Sequence, residues 1–141
     1  LRRIRGDGRC LFRAIARNIA AQEGRELSEH FEREDADFLR MSAHKVICVD
    51  RKEEFRTNML IEGSVDSYCS AMRSPSFYGG ELEMHILSEL LQKPIAVFLA
   101  ESMGRFRRIV EYGDQFRKGG EKPIRVLYNG VNHYDALLPL K

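Results

Sequence analysis

Asp7-Gly8-Arg9-Cys10-Leu11-Phe12-Arg13-Ala14-Ile15 is a glycine-punctuated turn that runs directly into a helical pattern. Leu11, Phe12, Ile15 and Ile19 recur at helical spacing, which predicts an amphipathic helix that starts at or near Cys10 and buries that stripe. Cys10 is thereby placed at a helix N-terminus, where unpaired backbone N–H groups and the positive end of the macrodipole favour an anion and lower a thiol's pKa. Arg9 and Arg13 push the same way. The Gly6-Asp7-Gly8 approach lets the backbone turn sharply and leaves amides free to face a developing negative oxygen. A lone cysteine is equally at home as a small buried hydrophobe, so a partner base has to decide between packing and chemistry.

Outward from that turn, the chain of 141 residues reads as one domain, long enough to bury a core without disulfides or structural metal. It opens on Leu1 and is expected to be a piece of a longer protein. With 43% hydrophobic and 31% charged residues it falls in the globular class, and a net charge of +2 speaks against a dedicated nucleic-acid binder. Cys10, Cys48 and Cys69 are odd in number, widely spaced and lack a C-x-x-C pair. That pattern fits a reducing compartment, the cytoplasm with the nucleus as a second site, and makes Cys48 and Cys69 packing residues. No apolar run has the length of a membrane span. Neither Gly79-Gly80 nor Gly119-Gly120 carries the lysine and hydroxyl of a phosphate loop, and no ligand spacing marks a metal or cofactor.

In chain order, Arg2, Arg3 and Arg5 form a basic lead-in, a solvated strand or arm. The first helix fades at Gln22-Glu23-Gly24. Residues 28–35 are polar and read as a loop or a helix entry before a second helix from Ala36, with Phe38, Leu39, Ala43, Val46 and Ile47 inward and His44 on the surface or rim. That helix ends in the charged run 50–54, followed by a connection over 55–63 with Phe55, Met59, Leu60 and Ile61 as anchors. Ser64 opens a short helix with Tyr68 and Met72 inward. Residues 81–92 make a third strong helix burying Leu82, Ile86, Leu87, Leu90 and Leu91, with Glu81 and Glu83 suiting its N-terminal dipole. After Lys93-Pro94 the period changes: 95–100 is a continuous apolar strand, and 106–112, 124–128 and 133–138 are further strands. Helices first and strands afterwards give an α+β fold with a small mixed or antiparallel sheet.

The base comes from Asn129-Gly130-Val131-Asn132-His133-Tyr134-Asp135. On an extended strand side chains alternate faces, so His133 and Asp135 point one way and Tyr134 the other. A carboxylate two residues on can bend back to accept a hydrogen bond from the imidazole, which fixes its tautomer and frees the other nitrogen for a thiol. Cysteine on a helix start, histidine on a neighbouring strand and an acid behind it form the arrangement that acyl transfer needs.

Three blocks carry a resemblance: Asp7-Gly8-Arg9-Cys10-Leu11-Phe12, Tyr78-Gly79-Gly80-Glu81-Leu82-Glu83 and Asn132-His133-Tyr134-Asp135. In order and separation they resemble the signature blocks of the OTU (ovarian tumour) family of cysteine-protease deubiquitinases, over essentially the whole chain. The resemblance implies a papain-like fold with the sheet between helical layers, a single catalytic domain over 1–141, and hydrolysis of the bond after ubiquitin's C-terminal glycine. It makes Cys10 the nucleophile, His133 the general base, Asp135 the acid that orients it and Asp7 a support for the oxyanion loop. Gly8, Arg9, Tyr78, Gly79, Gly80 and Asn132 become walls of a narrow channel for a di-glycine tail. Where many members have tryptophan before the mid-chain glycine, this chain has Tyr78, and Glu83 is assigned to stabilising a helix start. The implied partner is ubiquitin, polyubiquitin or a ubiquitin-like modifier, met by a monomeric domain without cofactor, nucleic acid or membrane. Two rivals stand beside it: a ubiquitin-binding module that has lost catalysis, disfavoured by intact Cys10, His133 and Asp135, and a basic RNA-binding domain, disfavoured because no stacking aromatics separate its arginines.

Overall fold

Five helices precede four strands in the computed structural model, which describes residues 1–58, 61 and 63–139. Helix α1 (Cys10–Gln22) starts at the expected cysteine and buries Leu11, Phe12 and Ile15 completely. Helix α2 (Glu29–Lys45) begins well before Ala36, the start suggested by periodicity. Ser28 caps it by accepting the Phe31 amide at 3.2 Å, and Glu29 and Glu32 sit in its first turn. Glu32 is buried against Arg13, so the inward position of that turn holds a carboxylate and leaves no apolar repeat to read.

The inward face of α2 is Ala36, Leu39, Arg40 and Ala43. Phe38, expected inward, lies off that face and is 72% exposed. His44, expected at the rim, is buried, with Nε2 3.1 Å from the Cys69 carbonyl oxygen. Beyond Lys45 the helix widens into a π-helical turn, Val46–Asp50, that carries Cys48 to α4 (Val65–Met72). There Cys48 and Cys69 form a disulfide, their Cα atoms 5.8 Å apart. This corrects the reading of the two as separate packing residues: the cysteines lie on helices that meet only in the folded chain.

The charged run is itself helical, α3 (Lys52–Thr57), anchored by buried Phe55. Ile61 is buried as expected, whereas Met59 and Leu60 lie outside the described residues. Ser64 caps α4 through the Ser67 amide at 3.3 Å. In α5 (Glu81–Leu91), Ile86 and Leu87 are buried but Leu90 faces solvent. Glu83 Oε1 accepts the Gly80 amide at 2.7 Å and its other oxygen takes the Tyr68 hydroxyl, so this acid does hold a helix start.

Strands β1 (Ile95–Ala100), β2 (Phe106–Tyr112), β3 (Ile124–Tyr128) and β4 (Tyr134–Ala136) form one sheet of order β2-β1-β3-β4. The β1–β3 pair is parallel and the other two are antiparallel, which makes the sheet mixed. Val97 pairs with Val110 on one side and Val126 on the other, and Val126 with Ala136, a row of apolar positions across the sheet. The basic lead-in continues the sheet by one bridge: Arg2 and Ala136 exchange amide-to-carbonyl bonds of 2.7 and 3.0 Å. Helix α1 lies against β3 and β4, α5 against β1 and β2, and α2 packs on both helices. The N-terminus of α1 is thereby brought to the start of β4. Among the described residues, no helix is long and apolar enough to cross a membrane.

Candidate active site

The loop into α1 is organised by Asp7. Its carbonyl accepts the Cys10 amide at 3.2 Å, its Oδ1 accepts the Arg9 amide at 3.0 Å, and its Oδ2 accepts Arg13 Nη2 at 3.2 Å. Arg13 is buried and reaches back to Glu32 Oε1 at 3.1 Å, and Glu32 also takes Arg17. A carboxylate held on both oxygens cannot rotate freely, so the loop is fixed from its own side chain. Gly8 is demanded by close approach: a Cβ there would overlap the Pro75 carbonyl oxygen and stand 2.6 Å from the Ser76 carbonyl carbon.

Cys10 is 1% exposed, and its Sγ donates to the Asn132 carbonyl oxygen at 3.5 Å. Burial pushes the thiol above its ordinary pKa, and backbone bonds from Tyr134 and Leu11 only partly oppose this. The expected lowering by the helix terminus and by Arg9 and Arg13 is therefore corrected. Both guanidinium groups are neutralised by carboxylates, Arg9 by Asp37 at 2.7 Å and Arg13 by Asp7 and Glu32, and the sulfur has left water. Desolvation thus favours the neutral form of the Cys10 thiol.

Across from it, the β3–β4 turn is built on Asn129, whose Oδ1 accepts the amides of Val131, Asn132 and His133 at 2.8, 2.9 and 3.0 Å. Gly130 takes φ 89° inside it, a conformation suited to glycine. The turn sets the Asn132 carbonyl on Cys10 and delivers His133 beside it. His133 Nε2 lies 2.8 Å from Asp135 Oδ1. Because a carboxylate only accepts, Nε2 carries a proton, so the neutral form of the ring has its lone pair on Nδ1. The same Oδ1 accepts the Ile4 amide at 2.7 Å. Tyr134 points the opposite way, as strand alternation requires, and stacks on Tyr128 with ring centroids 4.9 Å apart. Among the described residues the thiol and the imidazole share no hydrogen bond. The thiol's acceptor is the carbonyl one residue before the histidine, a looseness common in active sites without substrate.

A cleft of about 340 Å³ is lined by Tyr78, Gly79, Gly80, Val131, Asn132 and Tyr134 among others, on the side of β4 that Tyr134 faces; Cys10, His133 and Asp135 do not line it, and Asn132 and Tyr134 link it to them along the chain. Gly79 lies flat on α1, where a Cβ would come within 2.9 Å of the Phe12 ring. Four of the expected channel residues, Tyr78, Gly79, Gly80 and Asn132, are thus brought together. Gly8 and Arg9 do not line the cleft and belong to the loop behind Cys10. Among the described residues no cluster of His, Cys, Asp and Glu could hold a metal ion.

Sequence reasoning passed over two residues that shape the site. Asn129 stands before Gly130 in the sequence, and Asn before Gly signals a side chain able to collect successive amides. Arg40 interrupts the Ala36, Leu39 and Ala43 stripe, and a charge in the middle of a buried face was its signal.

The chain is similar to known proteins over most of its length. A family model described as OTU-like cysteine protease matches residues 5–136. OVARIAN TUMOR DOMAIN-containing deubiquitinating enzyme 3 of Arabidopsis thaliana is 40% identical over 96% of this chain and 66% of its own length. Deubiquitinating enzyme 4 of the same name and plant is 41% identical over 96% of this chain and 42% of its own. The chain therefore spans just under two thirds of one curated relative and less than half of the other. The structure of the Hazara virus OTU bound to ubiquitin superposes with a TM-score of 0.65 over 99% of this chain and 80% of that one, at 22% identity, a likeness of fold.

Proposed function

We propose that this chain, which belongs to the OTU-like cysteine protease family, is the catalytic domain of a deubiquitinase that hydrolyses the isopeptide or peptide bond after the C-terminal glycine of ubiquitin. The observation that carries the reading is the meeting of two distant segments: the thiol of Cys10 lies on the Asn132 carbonyl, and the next residue presents an imidazole backed by Asp135. The relatives named deubiquitinating enzymes and the ubiquitin-bound fold neighbour support the substrate.

In this mechanism His133 Nδ1 takes the thiol proton as Cys10 attacks the glycine carbonyl carbon. The carbonyl electrons move to oxygen, and amides of the first turn of α1 stabilise that charge. Collapse of the tetrahedral intermediate breaks the C–N bond, and the imidazolium gives its proton to the leaving amine. Water, deprotonated by the same imidazole, then attacks the thioester and releases the glycine carboxylate while the thiolate recovers its proton. Asp135 stays ionised and holds the ring in one tautomer. The cleft beside Tyr78 and Asn132 receives the extended tail, and its glycine-lined wall at residues 79–80 favours residues without side chains at the scissile bond.

A ubiquitin probe carrying a C-terminal electrophile tests the reading. The wild-type chain forms a covalent adduct, and Cys10→Ala abolishes it. A folded wild-type chain that binds ubiquitin without labelling would instead be a non-catalytic binding module.

A further inference from the structure

Arg40 carries a positive charge into the interior. It is 2% exposed, and among the described residues no carboxylate lies within ion-pairing distance of it. Its partners are backbone carbonyls: Nη2 donates to Gly8 at 2.9 Å and to Pro75 at 3.4 Å, and Nη1 donates to Met72 at 3.2 Å. The guanidinium lies over the Phe12 ring, 4.6 Å from its centroid. One side chain of α2 thus joins the loop before Cys10, the C-terminal end of α4 and the turn whose backbone abuts Gly8.

The Gly8 bond matters most. A trans peptide sends its C=O and N–H in opposite directions, so fixing the Gly8 carbonyl inward fixes where the Arg9 amide faces. That amide meets Asp7 Oδ1 at 3.0 Å. The peptide between Gly8 and Arg9 is therefore gripped at both ends, by a cation on its oxygen and by an anion on its nitrogen. A rotation of this peptide would take the Arg9 amide off Asp7 Oδ1 and free the carboxylate that organises the loop before Cys10. The Gly8 and Pro75 carbonyls also converge, and the shared guanidinium offsets their repulsion.

We propose that Arg40 is a positioning residue for the reaction, which locks the orientation of the Gly8–Arg9 peptide and with it the electrostatics of the oxyanion loop. The inference rests on the deubiquitinase reading for its kinetic test, but the peptide lock itself is readable without turnover. A lysine is a single point donor and cannot bridge three carbonyls in the planar fork that arginine presents, so Arg40→Lys retains charge while losing the grip.

The experiment compares wild type, Arg40→Lys and Arg40→Met on a ubiquitin C-terminal fluorogenic substrate, with thermal melts and amide hydrogen exchange of Arg9. In both variants kcat falls, by about 100-fold for methionine and less for lysine. KM stays within about threefold of wild type because the cleft is untouched. Inhibition by ubiquitin C-terminal aldehyde, which forms a tetrahedral adduct, weakens in parallel with kcat, and the Arg9 amide exchanges faster. A folded lysine variant with wild-type kcat and an unchanged Arg9 amide overturns the proposal, as does a loss of activity that follows the melting temperature alone. If methionine prevents folding, the lysine variant decides. A wild-type chain without turnover refutes the deubiquitinase reading, and the exchange of the Arg9 amide still tests the lock.

Discussion

Ile4 and Asp135 are joined by a 2.7 Å hydrogen bond from the Ile4 amide to Oδ1, the same oxygen that His133 Nε2 meets at 2.8 Å. The acid behind the histidine is therefore held by the backbone of the N-terminal lead-in, which also bridges to Ala136. Two donors on one oxygen fix the carboxylate before the imidazole uses it, and an amide oxygen can accept both bonds in the same geometry. Asp135→Asn should keep the fold and the ring orientation while removing the charge that stabilises an imidazolium. Turnover of a ubiquitin C-terminal substrate should fall about 10- to 100-fold with a melting temperature close to wild type, and Asp135→Ala should lose more. Unchanged turnover in both variants would remove Asp135 from the mechanism.

The buried thiol predicts a pH dependence. Burial favours the neutral form of Cys10 and raises its pKa in the folded chain. Alkylation of Cys10 by iodoacetamide should keep accelerating as pH rises beyond the ordinary thiol range. By linkage, an acid whose folded pKa is raised contributes stability that is full below its unfolded value. That stability is lost as pH rises through the folded value. Alkylation that levels off below the ordinary thiol range would mean a thiolate-imidazolium pair already present at rest.

Gly8→Ala places a methyl group against the backbone of Pro75 and Ser76, where nothing can yield without moving the loop or the 74–76 turn. The displaced loop should cost about 100-fold or more in kcat. Ubiquitin binding by a Cys10→Ala, Gly8→Ala double variant should match that of Cys10→Ala, because Gly8 does not line the cleft. Titration calorimetry of the two chains checks this.

The Cys48–Cys69 bond joins positions 21 apart in sequence and ties the π-helical turn Val46–Asp50 to α4. Denatured without reductant and alkylated, the chain should gain one adduct by mass, at Cys10, and three after reduction. Cys69→Ser should destabilise the oxidised chain by about 3 kcal/mol, read from denaturant unfolding under non-reducing conditions. Three adducts without reductant would show that the cysteines remain free.

The elements legible in the sequence were those whose apolar spacing matches one geometry. Leu11, Phe12 and Ile15 marked α1, and the run over 95–100 marked β1, because burial of an apolar face leaves its period in the chain. The first turns of α2 were not legible, since Glu32 takes a core position there by pairing with Arg13 and Arg17. Phe38 and Leu90 misled for the converse reason: they are apolar yet face solvent, and periodicity does not register which side of a helix finds a neighbour. In the site, Cys10, His133 and Asp135 were legible because strand alternation and a helix start are local properties.

What the sequence by itself determined is the inventory of chemistry: a cysteine placed to open a helix, a histidine at the entry to a strand with an acid two residues on, and an α+β succession of elements. Only the tertiary structure decided that burial raises the pKa of the Cys10 thiol, that Arg9 and Arg13 are neutralised by Asp37, Asp7 and Glu32, and that Arg40 reaches Gly8 from α2. The reason is physical. Backbone dihedrals and side-chain periods are set by neighbours along the chain, whereas desolvation and charge pairing depend on which groups, however distant in sequence, come together when the core closes.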